Sequence, residues 1–329
     1  MPASSLSPRP LGSSGIEVSA LSLGSWRTYD RLDPGTGIAV LRAAWDLGIT
    51  FFDDARYDDE TGRAPIPTGY SEVLFGDLFR GARIPRDQAV VANKLWWEFW
   101  PEQTAAAELD ASLRRMGFDY VDLIYTGAPP AGLSVADLAA EMGALISSGK
   151  ARAWGLLNWP ADLTSQAADV AAALSVPAPC AAQLPYSLVL RRPAEDAAMT
   201  AALSACGAGV VASFCLAGGV LTGKYLDGRQ ANRAAGQQAG RAAGSVNEPR
   251  VRPAADAARE LTGLAGRFGT TAAALAMAFP LASPAVASVL FGATSPAQVR
   301  DNCGCVDLLA RLSQADIAQL RRVGLARNG

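Results

Sequence analysis

Two ionisable side chains stand where packing does not explain them. Asp53 ends the apolar run ITFFD, and Lys94 ends VVANKL. A carboxylate and an ammonium that each close a buried strand lie at the rim where barrel enzymes place their chemistry. The plain alternatives are a helix N-cap or rim salt bridge for Asp53 and an amine snorkelling to solvent for Lys94. Tyr57 and Tyr70 follow the Asp53 strand, and each offers a phenol that either donates a proton or packs against its loop. The aromatic run KLWWEFWP places Trp96, Trp97, Phe99 and Trp100 after the Lys94 strand. It reads as an apolar wall for a substrate, or else as a cap on the fold or a subunit contact. Histidine, the usual acid and base near neutral pH, is absent from the whole chain.

That absence also bears on metals. The five cysteines, Cys180, Cys206, Cys215, Cys303 and Cys305, lack metal-ligand spacing and have no histidine to join them, so a reduced, metal-free protein is expected. The net charge of -2 gives no general attraction for polyanions, and no basic run is interleaved with aromatics, which argues against a nucleic-acid partner. The opening MPASSLSPRPLG has no charged start before an apolar stretch, so a cytoplasmic protein is expected. Residues 270–294 carry no charge, but Pro280, Pro284 and Gly292 divide them into a helix, a turn and a buried strand rather than a membrane span.

The elements that must position these residues alternate. Short runs rich in Val, Ile, Leu or Ala recur at 20–25, 49–55, 89–95, 121–128, 151–159, 181–187, 209–215 and 287–293, with amphipathic stretches such as 101–116 and 161–174 between them. Eight strand–helix units in strict alternation favour a closed α/β barrel, a (β/α)8 TIM barrel, over an open doubly wound sheet. Ahead of the first strand, LGSSGIEVSA reads as a β-hairpin that closes the barrel floor. All 329 residues fit one domain. Residues 226–252 are too long for an ordinary connection and read as a lid, or as a disordered spacer. A second insertion, 58–69, follows the second strand.

Taken in order, RPLGSSGIEVSALSLGSW, GITFFDDARY, TGYSEVLFG, SLRRMGFDYVDLIY, ISSGKARAWGLLNW, AAQLPYS, LAGGVLTGKY and FGATSPAQVRDN resemble the aldo-keto reductases over nearly the whole chain. The pattern is most similar to the branch of potassium-channel beta subunits and bacterial reductases. The resemblance implies a nicotinamide cofactor across the mouth of the barrel and hydride transfer to a carbonyl carbon. It implies Asp53, Tyr57 and Lys94 as the catalytic residues. Hydride addition leaves an alkoxide, and a phenol protonates it well only if a nearby cation stabilises the phenolate left behind. Tyr57 lies one residue short of the family spacing, where Asp58 stands, and Tyr70 is a substitute. The family histidine falls on Gly127, which offers space and no donor; beta subunits and steroid double-bond reductases also depart from histidine here.

The resemblance places the nicotinamide amide beside Asn158 and Gln183, with Ser213 where an aromatic ring usually stacks and Phe214 after it. Leu216, Gly218, Thr222 and Lys224 fall on the pyrophosphate segment. Gly292, Thr294, Gln298, Asp301 and Asn302 fall on the adenosine end, where a glycine and a helix N-terminus suit a phosphate. No G-x-G-x-x-G follows the first strand, so this is not a Rossmann site. NADP(H) is expected with NAD(H) left open, because the arginine of many relatives at Thr294 is missing and Arg300 or a lid arginine would have to stand in. Trp26, Tyr70, Trp96, Trp97 and Gly127 would line the substrate pocket.

These expectations converge on an NADP(H)-dependent oxidoreductase with a small-molecule substrate, a bulky and largely apolar carbonyl, enone or imine, in a possible homo-oligomer. An imine needs less help from the missing histidine, since its protonated form already accepts hydride strongly. Two other readings stay open: a cofactor-bound enzyme without net redox, such as an epimerase or eliminase, and a cofactor-sensing regulatory subunit.

Overall fold

The computed structural model describes residues 6–226 and 251–324. All but the ends of the expected lid lie outside the described residues. The chain opens with the hairpin: β1 (Arg9–Pro10) pairs antiparallel with β2 (Glu17–Val18). Gly12 turns at φ +54°, and a Cβ there would lie 2.2 Å from the Cys180 carbonyl oxygen, so only glycine lets the hairpin seat so closely under the barrel. Arg9 Nη1 fastens it by donating to the Val286 carbonyl at 2.9 Å.

Eight parallel strands follow: β3 (Leu21–Gly24), β4 (Phe51–Asp53), β5 (Val90–Leu95), β6 (Val121–Thr126), β7 (Ala151–Leu157), β8 (Ala181–Pro185), β9 (Gly209–Ser213) and β10 (Val286–Phe291). They pair in chain order and β10 closes onto β3, giving the expected barrel. Around it run α1 (Pro34–Asp46), α2 (Tyr70–Gly81), α3 (Ala105–Met116), α4 (Val135–Ser147), α5 (Ala161–Leu174), α6 (Arg192–Glu195), α7 (Ala197–Cys206), α8 (Arg252–Phe268), α9 (Ala272–Leu281), α10 (Pro296–Arg311) and α11 (Gln314–Leu320).

Successive strand residues face opposite sides, and two apolar clusters result. Inside, Phe51, Val90, Ala92, Leu123, Tyr125, Ala181 and Val211 meet Leu11, Ile16 and Val18 of the hairpin, which plug the floor. Outside, Leu23, Phe52, Val91, Ile124, Trp154, Leu184 and Val289 lie under the helices. With the floor filled, the polar ends of the strands are left at the opposite mouth.

Side-chain caps explain several helix starts. Asp33 accepts from Thr36 N at 2.9 Å ahead of Pro34, and Thr104 accepts from Ala107 N at 3.2 Å. The helix expected over 101–116 therefore begins only at Ala105, and residues before it form a turn that carries the aromatic run. The strand expected over 49–55 stops at Asp53, which frees Asp54–Tyr57 as loop. The uncharged stretch resolves into α9 and β10, and no described helix is long and apolar enough to cross a membrane.

Candidate active site

β4 and β5 are neighbours, with Asp53 in register with Ala92. One pleat further on, Lys94 therefore points inward beside Asp53. Its Nζ donates to Asp53 Oδ1 at 2.5 Å, and both side chains are 3% exposed. Gln183, from β8, reaches across the mouth and donates Nε2 to Asp53 Oδ2 at 2.9 Å. Both carboxylate oxygens are thus held, and the ammonium cannot swing outward without leaving Asp53 buried and unpaired. Of the two alternatives for Lys94, pairing is what the structure has and snorkelling is not.

The loop after β4 decides which phenol joins them. Tyr57 N donates to Ser71 Oγ at 3.2 Å, Ser71 Oγ donates to the Ala55 carbonyl at 2.6 Å, and Gly69 N donates to the Tyr57 carbonyl at 2.8 Å. Tied down in this way, the shortened loop turns the Tyr57 ring toward Lys94, whose Nζ lies 5.7 Å from the ring centroid. Tyr70 instead forms the first turn of α2, bordering a small cleft with Tyr57, Tyr29 and Trp26.

Burial and charge compete here. Burial pushes the Tyr57 phenol above its usual range; the Lys94 charge pulls it down, and Asp53, joined by Asp54 where that acid is ionised, pushes it up again. The phenol is therefore protonated at neutral pH, the form that a proton donor needs. Burial also works against the charge on Lys94, but Asp53 and then Tyr57 outweigh it and hold the ammonium above its ordinary range.

Gly127 follows β6, its N–H donating to the Leu95 carbonyl at 3.2 Å. A Cβ placed on it would meet only that carbonyl oxygen, at 3.9 Å, so the position borders open space. Around the mouth Trp26, Trp96, Phe99 and Phe214 are exposed large apolar groups. Three of them form a chain of rings with Tyr57: Phe214 to Trp26 at 5.6 Å, Trp26 to Tyr57 at 6.5 Å and Tyr57 to Trp96 at 6.2 Å. Trp97 departs from expectation. It is 4% exposed, donates Nε1 to Thr126 Oγ1 at 2.7 Å and packs edge-on against Trp100. It supports the mouth from the core and does not line it, because the loop alternates Trp96 outward and Trp97 inward.

The residues expected at a cofactor frame the other side. Asn158 takes a φ of +57° just past β7, its N–H donating to the Gln183 carbonyl at 3.1 Å. Ser213 ends β9, and Phe214 after it, at φ +53°, turns out onto Trp26. Leu216 and Gly218 lie in the turn that follows, Thr222 spends its hydroxyl on the Gly219 carbonyl at 2.7 Å, and Lys224 Nζ sits 4.9 Å from the Tyr225 ring centroid. Gly292 follows β10, with Thr28 Oγ1 3.2 Å from where its Cβ would be. Ser295 caps α10, and Thr294 N and Oγ1 donate to Gln298 Oε1 at 2.8 and 3.1 Å. Asp301 and Asn302 follow on α10, the first exposed and the second buried.

The second buried carboxylate beside the pair was not foreseen. Asp54 is fully buried beside the pair, and its sequence signal was a second carboxylate directly after Asp53 in an otherwise apolar run. Among the described residues no group of three histidine, cysteine or acidic side chains could hold a metal ion.

Residues 20–324 match the model of the aldo/keto reductase family. The chain is 31% identical over 327 residues to a protein of Oryza sativa subsp. japonica named as a probable voltage-gated potassium channel subunit beta, covering 95% of each. It is 29% identical to the L-glyceraldehyde 3-phosphate reductase of Escherichia coli K12, covering 95% of this chain and 90% of that one. A crystal structure carrying the name of a 2,5-diketo-D-gluconic acid reductase B superposes with a TM-score of 0.69 at 20% identity, covering 97% of this chain and 92% of the other. That last likeness concerns the fold alone.

Proposed function

The chain belongs to the aldo/keto reductase family, and from that premise we propose that it is an NADP(H)-dependent oxidoreductase acting on a bulky, largely apolar carbonyl, enone or imine. The family generally binds NAD(P)H. The residues around the mouth fit such a group: side-chain-free positions at Gly218 and Gly292, an amide at Asn158, a cation at Lys224 and the capped N-terminus of α10. When bound, the reduced nicotinamide supplies hydride. Tyr57 gives its phenolic proton to the substrate oxygen or nitrogen, Lys94 stabilises the phenolate left behind, Asp53 holds Lys94, and Gln183 fixes Asp53.

The observation that carries this reading is the buried Lys94–Asp53 pair beside Tyr57. The absent donor at Gly127 and the exposed rings of Trp26, Trp96 and Phe214 support the substrate class. A donor aimed at a developing alkoxide typically contributes about 2.7–4 kcal/mol, so a simple aldehyde is handled poorly here. A ring that fills the open space regains binding energy by burying apolar surface.

Rapid mixing of the NADPH-loaded protein with aldehydes, enones and cyclic imines, followed by cofactor absorbance, tests the reading. Loss of NADPH absorbance with a bulky member of the panel is the expected result. Altered product with the cofactor unchanged would assign a non-redox enzyme. Cofactor binding without turnover of anything would assign a cofactor-sensing regulatory subunit.

A further inference from the structure

Beside the pair lies a carboxyl group with no ionic partner among the described residues. Asp54 is 0% exposed, and its Oδ1 accepts from Ser25 Oγ, while its Oδ2 is buried without any hydrogen-bond partner among the described residues. The hydroxyl of Tyr29, 3% exposed, is likewise buried and unpartnered. The nearby cations are committed elsewhere: Lys94 to Asp53, and Arg115 to Glu72, which also accepts from Asn93 Nδ2 at 2.9 Å. Lys94 touches Asp54 only through its main-chain carbonyl, at 3.4 Å. A dry carboxylate with no counter-ion is costly, and the neutral acid is the form that such a site keeps.

We propose that Asp54 is a positioning residue whose neutral carboxyl leaves the Lys94 charge undivided between Asp53 and Tyr57, and whose ionised form adds a second negative charge there and shuts off proton donation by Tyr57. The inference rests on the reductase reading above. The groups facing Asp54 are Ser25 and Tyr29 from the segment after β3, Glu72 of α2, Lys94 of β5, and Asp53 and Tyr57 from its own segment. Burial first and Glu72 second push the Asp54 carboxyl up to about 8, against the Ser25 bond, the Ala55 N–H and Lys94. As pH rises through that value a negative charge appears beside the phenol. Tyr57 becomes a weaker acid, and the reduction slows. Tyr57 and Lys94 themselves are both held above their ordinary ranges, so neither produces a limb near pH 8.

The test is the pH profile of carbonyl or imine reduction in the intact protein, read beside its infrared spectrum. Wild type is expected to lose about tenfold per pH unit above about 8, and Asp54→Asn, which mimics the neutral acid, to be flat through the same range. Ser25→Ala keeps the carboxyl and removes its donor, so its limb is expected at higher pH than in wild type. The carbonyl stretch of a protonated acid is expected at neutral pH in wild type, fading on the alkaline side, and missing from the Asp54→Asn difference spectrum. An alkaline limb that Asp54→Asn retains, or that Ser25→Ala leaves in place, overturns the coupling. Absence of the protonated-acid band at neutral pH overturns the neutral state on which it depends. If the band behaves as expected but no substrate is reduced at any pH, the reductase reading fails and takes the coupling with it.

Discussion

At the scale of single residues the site is a short series of buried charges, each held by a neighbour. Asp53 receives Lys94 and Gln183, and removing either donor leaves an oxygen in a place water does not reach. Lys94→Met is expected to abolish turnover and also to cost about 3–5 kcal/mol of stability, since it strands a buried carboxylate. Adding Asp53→Asn is expected to return most of that stability without activity. Urea denaturation of the two variants checks this; equal stability of wild type and Lys94→Met would contradict the isolation of the pair. Gly127 presents the opposite case, a space where a donor is missing. Its nearest neighbour to a new Cβ is 3.9 Å away, so Gly127→His is expected to be accommodated. It is expected to raise kcat/KM for a small aldehyde by up to about a hundredfold and to depress it for the bulky substrate. Unchanged values for both would mean that the space is not used.

At the scale of elements the site depends on how α2 sits against α3. Gly76 of α2 faces the end of α3 so closely that a Cβ would lie 2.0 Å from the Met116 carbonyl oxygen. From the same helix Glu72 bonds Arg115 of α3 and Asn93 of β5, and Asn93 Oδ1 in turn accepts from Lys94 N at 2.7 Å. Moving α2 therefore disturbs the strand end that carries Lys94. Gly76→Ala is expected to cost about 1–3 kcal/mol by overpacking, and to lower kcat more than a comparable loss placed far from α2. Thermal denaturation with steady-state kinetics would show it; full activity after the loss of stability would uncouple this helix from the site. The loop after β5 divides its aromatics in the same element-bound way, Trp96 outward to Tyr57 and Trp97 inward to Thr126.

At the scale of the whole molecule, the hairpin plugs one end of the barrel, and the strand ends that carry Asp53, Lys94 and Gln183 open at the other. A ligand that bridges β7, β8, β9 and the start of α10 ties together parts of the chain far apart in sequence, so binding should stabilise the fold globally. At NADPH concentrations about a hundred times Kd the native state gains about 2.7 kcal/mol, which calorimetry reads as a rise in Tm. Gln298, its Oε1 already fastened by Thr294, presents its amide ready oriented, and Gln298→Ala is expected to weaken NADPH by roughly fivefold, about 1 kcal/mol. No shift in Tm with NADPH or NADH would remove the cofactor from the account.

Much of this architecture was legible in the residues themselves. Strands that alternate inward and outward, and helices with one apolar face, follow from local period, so eight units and a barrel could be counted before any contact was known. Asp53 and Lys94 stood out for the same local reason, as charges closing buried runs. What only the tertiary structure decided are matters of loop path and distant partners. Tyr57 rather than Tyr70 lies over Lys94 because Ser71 and Gly69 pin the shortened loop. Gln183 reaches Asp53 across 130 residues of sequence because a closed barrel makes its eight strand ends neighbours around one mouth. Trp97 turns inward because Thr126 offers its indole a partner. Asp54, one residue from Asp53, has no cation among the described residues because the nearby ones are already paired, and no pattern in the chain could state that balance.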